Sequence, residues 1–157
     1  MLLIAGIALL VGALAGSRDL LRPLAGLTSG GAPAASPLPW ARVASLAELD
    51  LKLRAAGRPV MLDFYADWCV SCKEMERFTF SDERVQTRFR DMLLLLADVT
   101  ANNAEHAALL KRFRLFGPPG IIFFDREGSE IQGLRVIGFQ SAERFVAVLD
   151  QALNFKR

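Results

Sequence analysis

The sequence is poor in metal-binding residue types, because its 157 residues include one histidine and two cysteines. That set cannot supply the four ligands of a structural zinc site within one chain, so no metal site is expected. Charge of one sign is also scarce: 19 Lys and Arg against 17 Asp and Glu leave a formal net charge of +2. No block of five or more like charges occurs along the chain, which argues against nucleic-acid binding as the main role.

The composition predicts one folded domain with a tail. A chain that is 52% hydrophobic and 23% charged cannot leave its apolar surface in water, so disorder is excluded. The length suits one domain rather than two. We expect a hydrophobic segment at residues 1–22, a linker rich in Gly, Ala, Ser and Pro at 23–39, and an α/β domain at 40–157.

The first 16 residues, Met1–Gly16, are apolar or glycine and have three interpretations. Their length and the Ala13-Leu14-Ala15 sequence are typical of a signal peptide, although no charged residue precedes them. The other two are a short membrane anchor and the end of a longer protein's last membrane helix, since about 20 residues are needed to span a bilayer. Each interpretation places the rest of the chain at or across a membrane.

The pattern after Trp40 is that of an α/β domain. Apolar runs predict strands at Val60–Ala66, Met92–Val99 and Ile121–Phe124, with a hairpin partner that includes Val136 and Ile137. Helices are predicted to start after the capping residues Ser45 (in a capping box with Glu48), Ser81, Asn103 and Ser141, and another to run from about Val70 to Phe78. The resulting order, β-α-β-α-β-α-β-β-α, predicts a central mixed sheet flanked by helices.

The motif Trp68-Cys69-Val70-Ser71-Cys72-Lys73 lies where a buried strand passes into a helix. Unpaired backbone N–H groups and the helix dipole favour a thiolate at a helix start, so Cys69 is the predicted nucleophile. Cys72, three residues later, is the predicted resolving thiol. The alternative is a structural disulfide or a pair of inert thiols. Apart from this cysteine pair, no cofactor is expected.

Two acids are candidate partners of the cysteines. Asp63 interrupts an apolar strand, where a carboxylate is costly, so we predict a raised pKa and a role as proton acceptor for Cys72. Glu76 follows Cys72 by four residues, which would place it on the same helical face as both cysteines, where it could share the role of proton acceptor. The alternatives are a hydrogen-bonded structural acid for Asp63 and a solvated charge for Glu76. Asp67 and Lys73 are expected to be surface residues.

The sequence Gly117-Pro118-Pro119-Gly120 comes just before a predicted buried strand. A proline at such a position is a common place for a cis peptide bond. The alternative is a loop in which both prolines are trans.

Taken together, these residues resemble the thioredoxin fold. More narrowly, the chain from about Trp40 to Phe155 resembles the C-terminal periplasmic domains of the DsbD family of transmembrane thiol:disulfide interchange proteins. The resemblance is carried by VMLDFYADWCVSCKEMERFTFSDERVQ (Val60–Gln86), DVTANNAE (Asp98–Glu105) and FGPPGIIFFDREG (Phe116–Gly128). Its most specific part is the acid-rich stretch around the cysteines, followed by Thr-Phe-Ser-Asp.

The resemblance implies that Cys69 attacks, Cys72 resolves, and Asp63 and Glu76 form an acidic pair near the thiols. It also implies a cis Pro119 facing the cysteines, with Trp68, Pro118 and Pro119 contacting the substrate. Pro118 has no N–H, so it cannot make the backbone hydrogen bond to a substrate strand that related proteins use.

The implied role is that of an electron relay. The donor would be a DsbD-type membrane domain, reduced by cytoplasmic thioredoxin, and the acceptor a DsbD-type N-terminal domain that serves periplasmic thioredoxin-like proteins. Met1–Gly16 would then be the end of the last membrane helix, in the cell inner membrane, with the thioredoxin-like domain in the periplasm. The membrane and N-terminal domains themselves are absent from this sequence.

We therefore expect a protein-disulfide reductase. Within the enzymes, the alternatives are a disulfide oxidase or isomerase and a thioredoxin of cytochrome c maturation. Two carboxylates near the thiols oppose the stable thiolate that a strong oxidant needs, and so favour a reductase. Outside the enzymes, the alternative is a membrane-tethered binding module with a redox-inert thioredoxin fold.

Overall fold

The structure, a computed structural model, describes residues 38–156. The predicted hydrophobic segment at 1–22 lies outside the described residues, as does nearly all of the predicted linker at 23–39. Among the residues that are described, no helix is both long and apolar enough to cross a membrane.

The strands and helices follow the predicted order. Two helices separate the second and third strands, and the last two strands follow each other directly. The strands are β1 (Ala41–Arg42), β2 (Val60–Tyr65), β3 (Leu93–Asp98), β4 (Gly120–Phe124) and β5 (Glu130–Ile137). The helices are α1 (Leu46–Ala55), α2 (Val70–Glu74) continued by a π-helical segment (Met75–Phe80), α3 (Glu83–Phe89), α4 (Ala104–Arg112) and α5 (Ala142–Asn154).

The five strands form one mixed sheet in the order β1-β3-β2-β4-β5. β1, β3 and β2 run parallel, while β4 is antiparallel to both β2 and β5. All six residues of the central strand β2 are buried, as its nearly continuous apolar run predicts. The predicted mixed sheet flanked by helices is confirmed, and β2 delivers the chain directly to the cysteines.

Side chains from the two faces of β2 enter two separate core clusters. Leu62 and Phe64 pack with both cysteines and with residues of α1 and α4. Met61, on the other face, packs with residues of the π-helical segment, α3 and α5. The second cluster is rich in aromatic rings that meet at angles typical of interior packing; its ring contacts join Trp40, Phe80, Phe89, Phe123 and Phe145.

The helix that follows the cysteines differs from the prediction. It is regular only to Glu74, and a π-helical segment continues it to Phe80. Ser81 is therefore not the cap of the next helix: its backbone is still helical, and its hydroxyl donates to the Arg77 carbonyl at 2.6 Å. Asp82 is the N-cap of α3 instead, because its extended backbone lets its carboxylate accept from the Arg84 N–H at 2.9 Å.

The other predicted helix starts are in place. Ser45 accepts from the Glu48 N–H, while the Glu48 carboxylate accepts from Ala44 rather than from Ser45 itself. Asn103 caps α4 through its side chain. Ser141 is at the N-cap of α5, but its hydroxyl makes no capping hydrogen bond.

Candidate functional site: a disulfide at the start of a helix

The two cysteines form a disulfide at the junction between β2 and α2. Their Cα atoms are 5.3 Å apart, and both residues are buried. Cys69 is the N-cap residue of α2, and the backbone N–H of Cys72 donates to the Cys69 sulfur at 3.1 Å. The structure therefore describes the oxidised form of a Cys-x-x-Cys pair.

The surroundings of the two sulfurs differ. The Cys69 sulfur faces the Cys72 N–H at the start of the helix, where the dipole stabilises negative charge. The Cys72 sulfur lies 3.9 Å from the carbonyl oxygen of Phe64, and this oxygen would repel a negative charge on the sulfur. Both observations support Cys69 as the attacking thiol and Cys72 as the resolving one, an assignment that stays a prediction.

Asp63 is a buried acid in the middle of β2, with 6% of its surface exposed. Side chains alternate along a strand, so it lies on the same face as Met61, which packs against Met75 and its neighbours. Burial raises the pKa of Asp63 to about 7, and the negative charge of Glu76 adds to the increase. Near neutral pH the carboxyl can therefore both accept and release a proton; its role as proton acceptor for Cys72 stays a prediction.

A second buried aspartate shows what a structural acid looks like in this fold. Asp125 accepts hydrogen bonds from the backbone N–H groups of Glu127, at 3.0 Å, and Ser129, at 2.8 Å. Asp63 receives no such compensation from the described residues, since its pKa responds only to burial and to Glu76. The hypothesis of a hydrogen-bonded structural acid thus fits Asp125 better than Asp63.

Glu76 is exposed, in the first turn of the π-helical segment. The predicted common face with Cys69 and Cys72 assumed a regular helix, whereas from Met75 onward the helix is π-helical and its turn is wider. Both cysteines are buried whereas Glu76 is not. The described interactions connect Glu76 with Asp63 rather than with either cysteine.

The peptide bond between Pro118 and Pro119 is cis, in agreement with the first of the two interpretations of this sequence. The Pro119 carbonyl accepts a hydrogen bond from the Gly138 N–H at 3.1 Å. This contact joins the proline loop to the end of β5.

Three large apolar side chains from the cysteine motif and the proline loop are exposed. Trp68 and Val70, on either side of Cys69, are 60% and 72% exposed, and Phe116, two residues before Pro118, is fully exposed. Exposed apolar residues next to a reactive pair are typical of a surface that binds another protein.

Asp67 and Lys73 are exposed, as predicted, yet both contact Tyr65 at the end of β2. The Tyr65 hydroxyl donates to the Asp67 carboxylate at 3.0 Å. The Lys73 ammonium contacts the same hydroxyl, lies 4.5 Å from the centre of the Tyr65 ring, and is 3.8 Å from the Asp67 carboxylate.

Asp98, the last residue of β3, and Thr100, two residues beyond it, were not predicted as site residues. Thr100 accepts hydrogen bonds from the Asp67 backbone and from the Trp68 indole. The parallel pairing of β2 with β3, which aligns Tyr65 with Asp98, brings these strand ends to the same edge. Polar residues at the ends of neighbouring parallel strands were the signal that could have identified them.

No group of His, Cys, Asp and Glu side chains suited to hold a metal ion occurs within the part of the chain that the structure describes. The reactive groups described above are the Cys69–Cys72 pair and, in the strand that precedes it, Asp63.

Comparisons with known proteins agree with this geometry. Residues 49–153 match the thioredoxin-like domain family. The thiol:disulfide interchange protein DsbD of Ralstonia nicotianae is 55% identical over 159 residues, which cover 98% of this chain and 26% of that protein. DsbD of Yersinia pestis is 58% identical over 105 residues, 66% of this chain and 18% of that protein. The chain thus spans about a quarter, or less, of the relatives' length.

Solved structures give the same result at the level of one domain. The crystal structure of the Neisseria meningitidis DsbD C-terminal domain in the reduced form superposes with a TM-score of 0.59 and 38% identity, over 69% of this chain and 97% of that one. The oxidised form of the same domain gives a TM-score of 0.57 and 40% identity, over 68% and 90% of the two chains.

Proposed function

The chain belongs to the thioredoxin-like domain family, with the C-terminal domains of DsbD proteins, and on this premise we propose that it acts as a protein-disulfide reductase. The observation that carries the proposal is the Cys69–Cys72 disulfide at the start of α2, preceded in β2 by a buried Asp63 whose pKa is raised to about 7. An attacking thiol, a resolving thiol and a proton acceptor are the three groups that this reaction needs.

The reaction begins from the reduced pair. The Cys69 thiolate attacks one sulfur of a substrate disulfide, forming a mixed disulfide and releasing the other substrate sulfur as a thiolate. Cys72 then loses its proton and attacks the Cys69 sulfur, which releases the second substrate thiolate and forms the Cys69–Cys72 disulfide. Two electrons have passed from the cysteine pair to the substrate, and the described structure corresponds to the product state.

We assign Asp63 as the acceptor of the Cys72 proton. Phe64, the next residue of β2, has its carbonyl oxygen 3.9 Å from the Cys72 sulfur, so the acid is one residue along the strand from the backbone that contacts the resolving thiol. With a pKa of about 7, its carboxyl is a stronger base than an exposed aspartate and can take a proton from a thiol at neutral pH.

The direction of electron flow follows from the same acids. A strong disulfide oxidant has a very stable thiolate in its reduced form. Negative charge on Asp63 and Glu76 disfavours a thiolate nearby, and thereby favours the disulfide over the dithiol. The arrangement supports a reductase rather than an oxidase.

We propose that the physiological donor is a DsbD-type membrane domain, and that the acceptors are a DsbD-type N-terminal domain and periplasmic thioredoxin-like proteins. This proposal is supported by the likeness to DsbD proteins, of which the chain spans about a quarter or less. It would place the described domain in the periplasm, tethered to the inner membrane through the segment that precedes it.

The test combines a potential and a rate. We expect a reduction potential closer to the roughly −270 mV of thioredoxin than to the roughly −120 mV of a strong oxidant, and catalysis of insulin reduction by dithiothreitol. Cys69→Ser serves as the inactive control. A potential near the oxidant value would favour the oxidase, and a protein no faster than the control would favour the redox-inert binding module.

A further inference from the structure

Thr100 contacts the two residues that precede the attacking cysteine. Its hydroxyl oxygen accepts from the Asp67 backbone N–H at 2.9 Å, and its carbonyl accepts from the Trp68 indole N–H at 3.3 Å. It lies two residues beyond the end of β3, on a different segment from the cysteine motif. One residue therefore holds both the backbone and the aromatic ring next to Cys69.

The hydroxyl of Thr100 is oriented for this contact. It donates its proton to the Asp98 carboxylate at 2.6 Å, so a lone pair on the hydroxyl oxygen is left to accept from the Asp67 N–H. The Thr100 backbone N–H donates to the same carboxylate oxygen at 3.1 Å, and Arg42 of β1 binds the other oxygen at 3.0 Å.

Asp98 keeps its charge in this arrangement. Burial acts to raise the pKa of Asp98, but hydrogen bonds from Thr100 and the charge of Arg42 outweigh burial, so the pKa lies below its usual value. The carboxylate is thus a constant acceptor for the Thr100 hydroxyl across the neutral pH range.

Asp67 and Trp68 are held by little side-chain packing. Trp68 is 60% exposed and Asp67 is also exposed, although both directly precede the buried Cys69. The Tyr65 hydroxyl holds the Asp67 side chain, but the described contacts that hold the Asp67 N–H and the Trp68 ring both come from Thr100. Packing does not fix the orientation of an exposed indole ring, so a hydrogen bond from its N–H must do so.

We propose that Thr100 is a positioning residue for exchange with protein disulfides, which holds Asp67 and Trp68 so that the indole and the Cys69 sulfur meet the substrate together. The inference rests on the proposed reductase function and deepens it. A protein substrate must dock against Trp68, whereas a small dithiol needs only the sulfur. Thr100 therefore matters for protein substrates more than for small ones.

The experiment compares Thr100→Val, which keeps the shape and removes the hydroxyl, with Thr100→Ser, which keeps the hydroxyl. Thr87→Val is the matched control, since Thr87 also donates a hydroxyl hydrogen bond but lies exposed on α3. For each variant we would measure insulin reduction, reduction of the Cys69–Cys72 disulfide by dithiothreitol, and hydrogen exchange of the Asp67 amide and the Trp68 indole by NMR. Because the chain has two tryptophans, the indole signals are readily assigned.

In Thr100→Val we expect kcat/KM for insulin to fall about fivefold and the Asp67 amide to exchange about fivefold faster, as for one hydrogen bond of ordinary net strength. Reduction by dithiothreitol should change much less, and Thr100→Ser should restore both values. Unchanged Asp67 exchange would overturn the proposal, as would faster exchange with insulin reduction equal to that of Thr87→Val. Absence of insulin reduction in the wild-type protein would instead refute the reductase function, and the exchange data would still test the Thr100 contacts.

Discussion

Asp63 and Glu76 interact electrostatically although one is buried in the central strand and the other is exposed on the π-helical segment. Burial is the larger cause of the raised pKa of Asp63, and the charge of Glu76 is the second. The two acids therefore provide a proton site that titrates near neutral pH, in the part of the chain that leads to and follows the cysteines, which must gain and lose protons as they react.

The raised pKa of Asp63 makes the stability of the oxidised protein depend on pH. The pKa is about 7 in the folded state against an ordinary 3.8, so the folded state binds the proton more tightly. The stabilisation from this proton is complete below about pH 4 and is lost as the pH rises to about 7. Relative to Asp63→Asn, the wild-type protein should lose on the order of 4 kcal/mol of unfolding free energy over this range.

Urea unfolding of both proteins between pH 4 and pH 8, without reductant, measures this difference. Asp91→Asn, at an exposed aspartate, is the matched control. A wild-type protein whose stability runs parallel to that of Asp63→Asn across the range would show that the carboxyl does not titrate there.

Removal of the Glu76 charge should lower the pKa of Asp63 from about 7 without returning it to its ordinary value, because burial remains. NMR titration of the Asp63 carboxyl carbon in Glu76→Gln measures the shift. Glu74→Gln, at an exposed acid two residues earlier, is the control and should leave the titration in place. Equal shifts in the two variants would assign the effect to general surface charge.

The aromatic cluster should dominate the stability of the face opposite the cysteines. Phe145 is fully buried, and its ring lies 5.6 Å from Phe80 and 6.2 Å from Phe89, centre to centre. Phe145→Ala should cost about 3–5 kcal/mol in urea unfolding. Phe78→Ala, at a 57% exposed ring, should change stability by only about 0.5 kcal/mol. Similar losses in both would contradict the packing described for this cluster.

Most of the fold could be predicted because its signals are local. The almost unbroken apolar run of β2 predicts a buried strand, and all six of its residues are buried. Side-chain caps such as Asn103 mark helix starts. The start of α3 could not be found in this way, because Ser81 and Asp82 are both good capping residues. Only the backbone conformation set by the preceding π-helical segment decides between them.

The same difference between local and long-range signals decides which site residues could be predicted. Cys69, Cys72 and Asp63 could be identified because each breaks an apolar pattern or forms a spaced motif within one short segment. Thr100 has only a weaker signal, its place just beyond the end of a strand, since its contact with Asp67 spans 33 positions and depends on the pairing of two parallel strands. The π-helical segment that contains Glu76 has no sequence signal that we recognise.

The central claim is that Cys69 attacks and Cys72 resolves, and trapping of mixed disulfides tests it most directly. Reduced Cys72→Ser and reduced Cys69→Ser would each be incubated with insulin, and the covalent adducts would be quantified by mass spectrometry under non-reducing conditions. We predict a stable adduct through Cys69 in Cys72→Ser, because no resolving thiol remains, and little or none in Cys69→Ser. Equal trapping by the two variants, or more adduct through Cys72, would contradict the account.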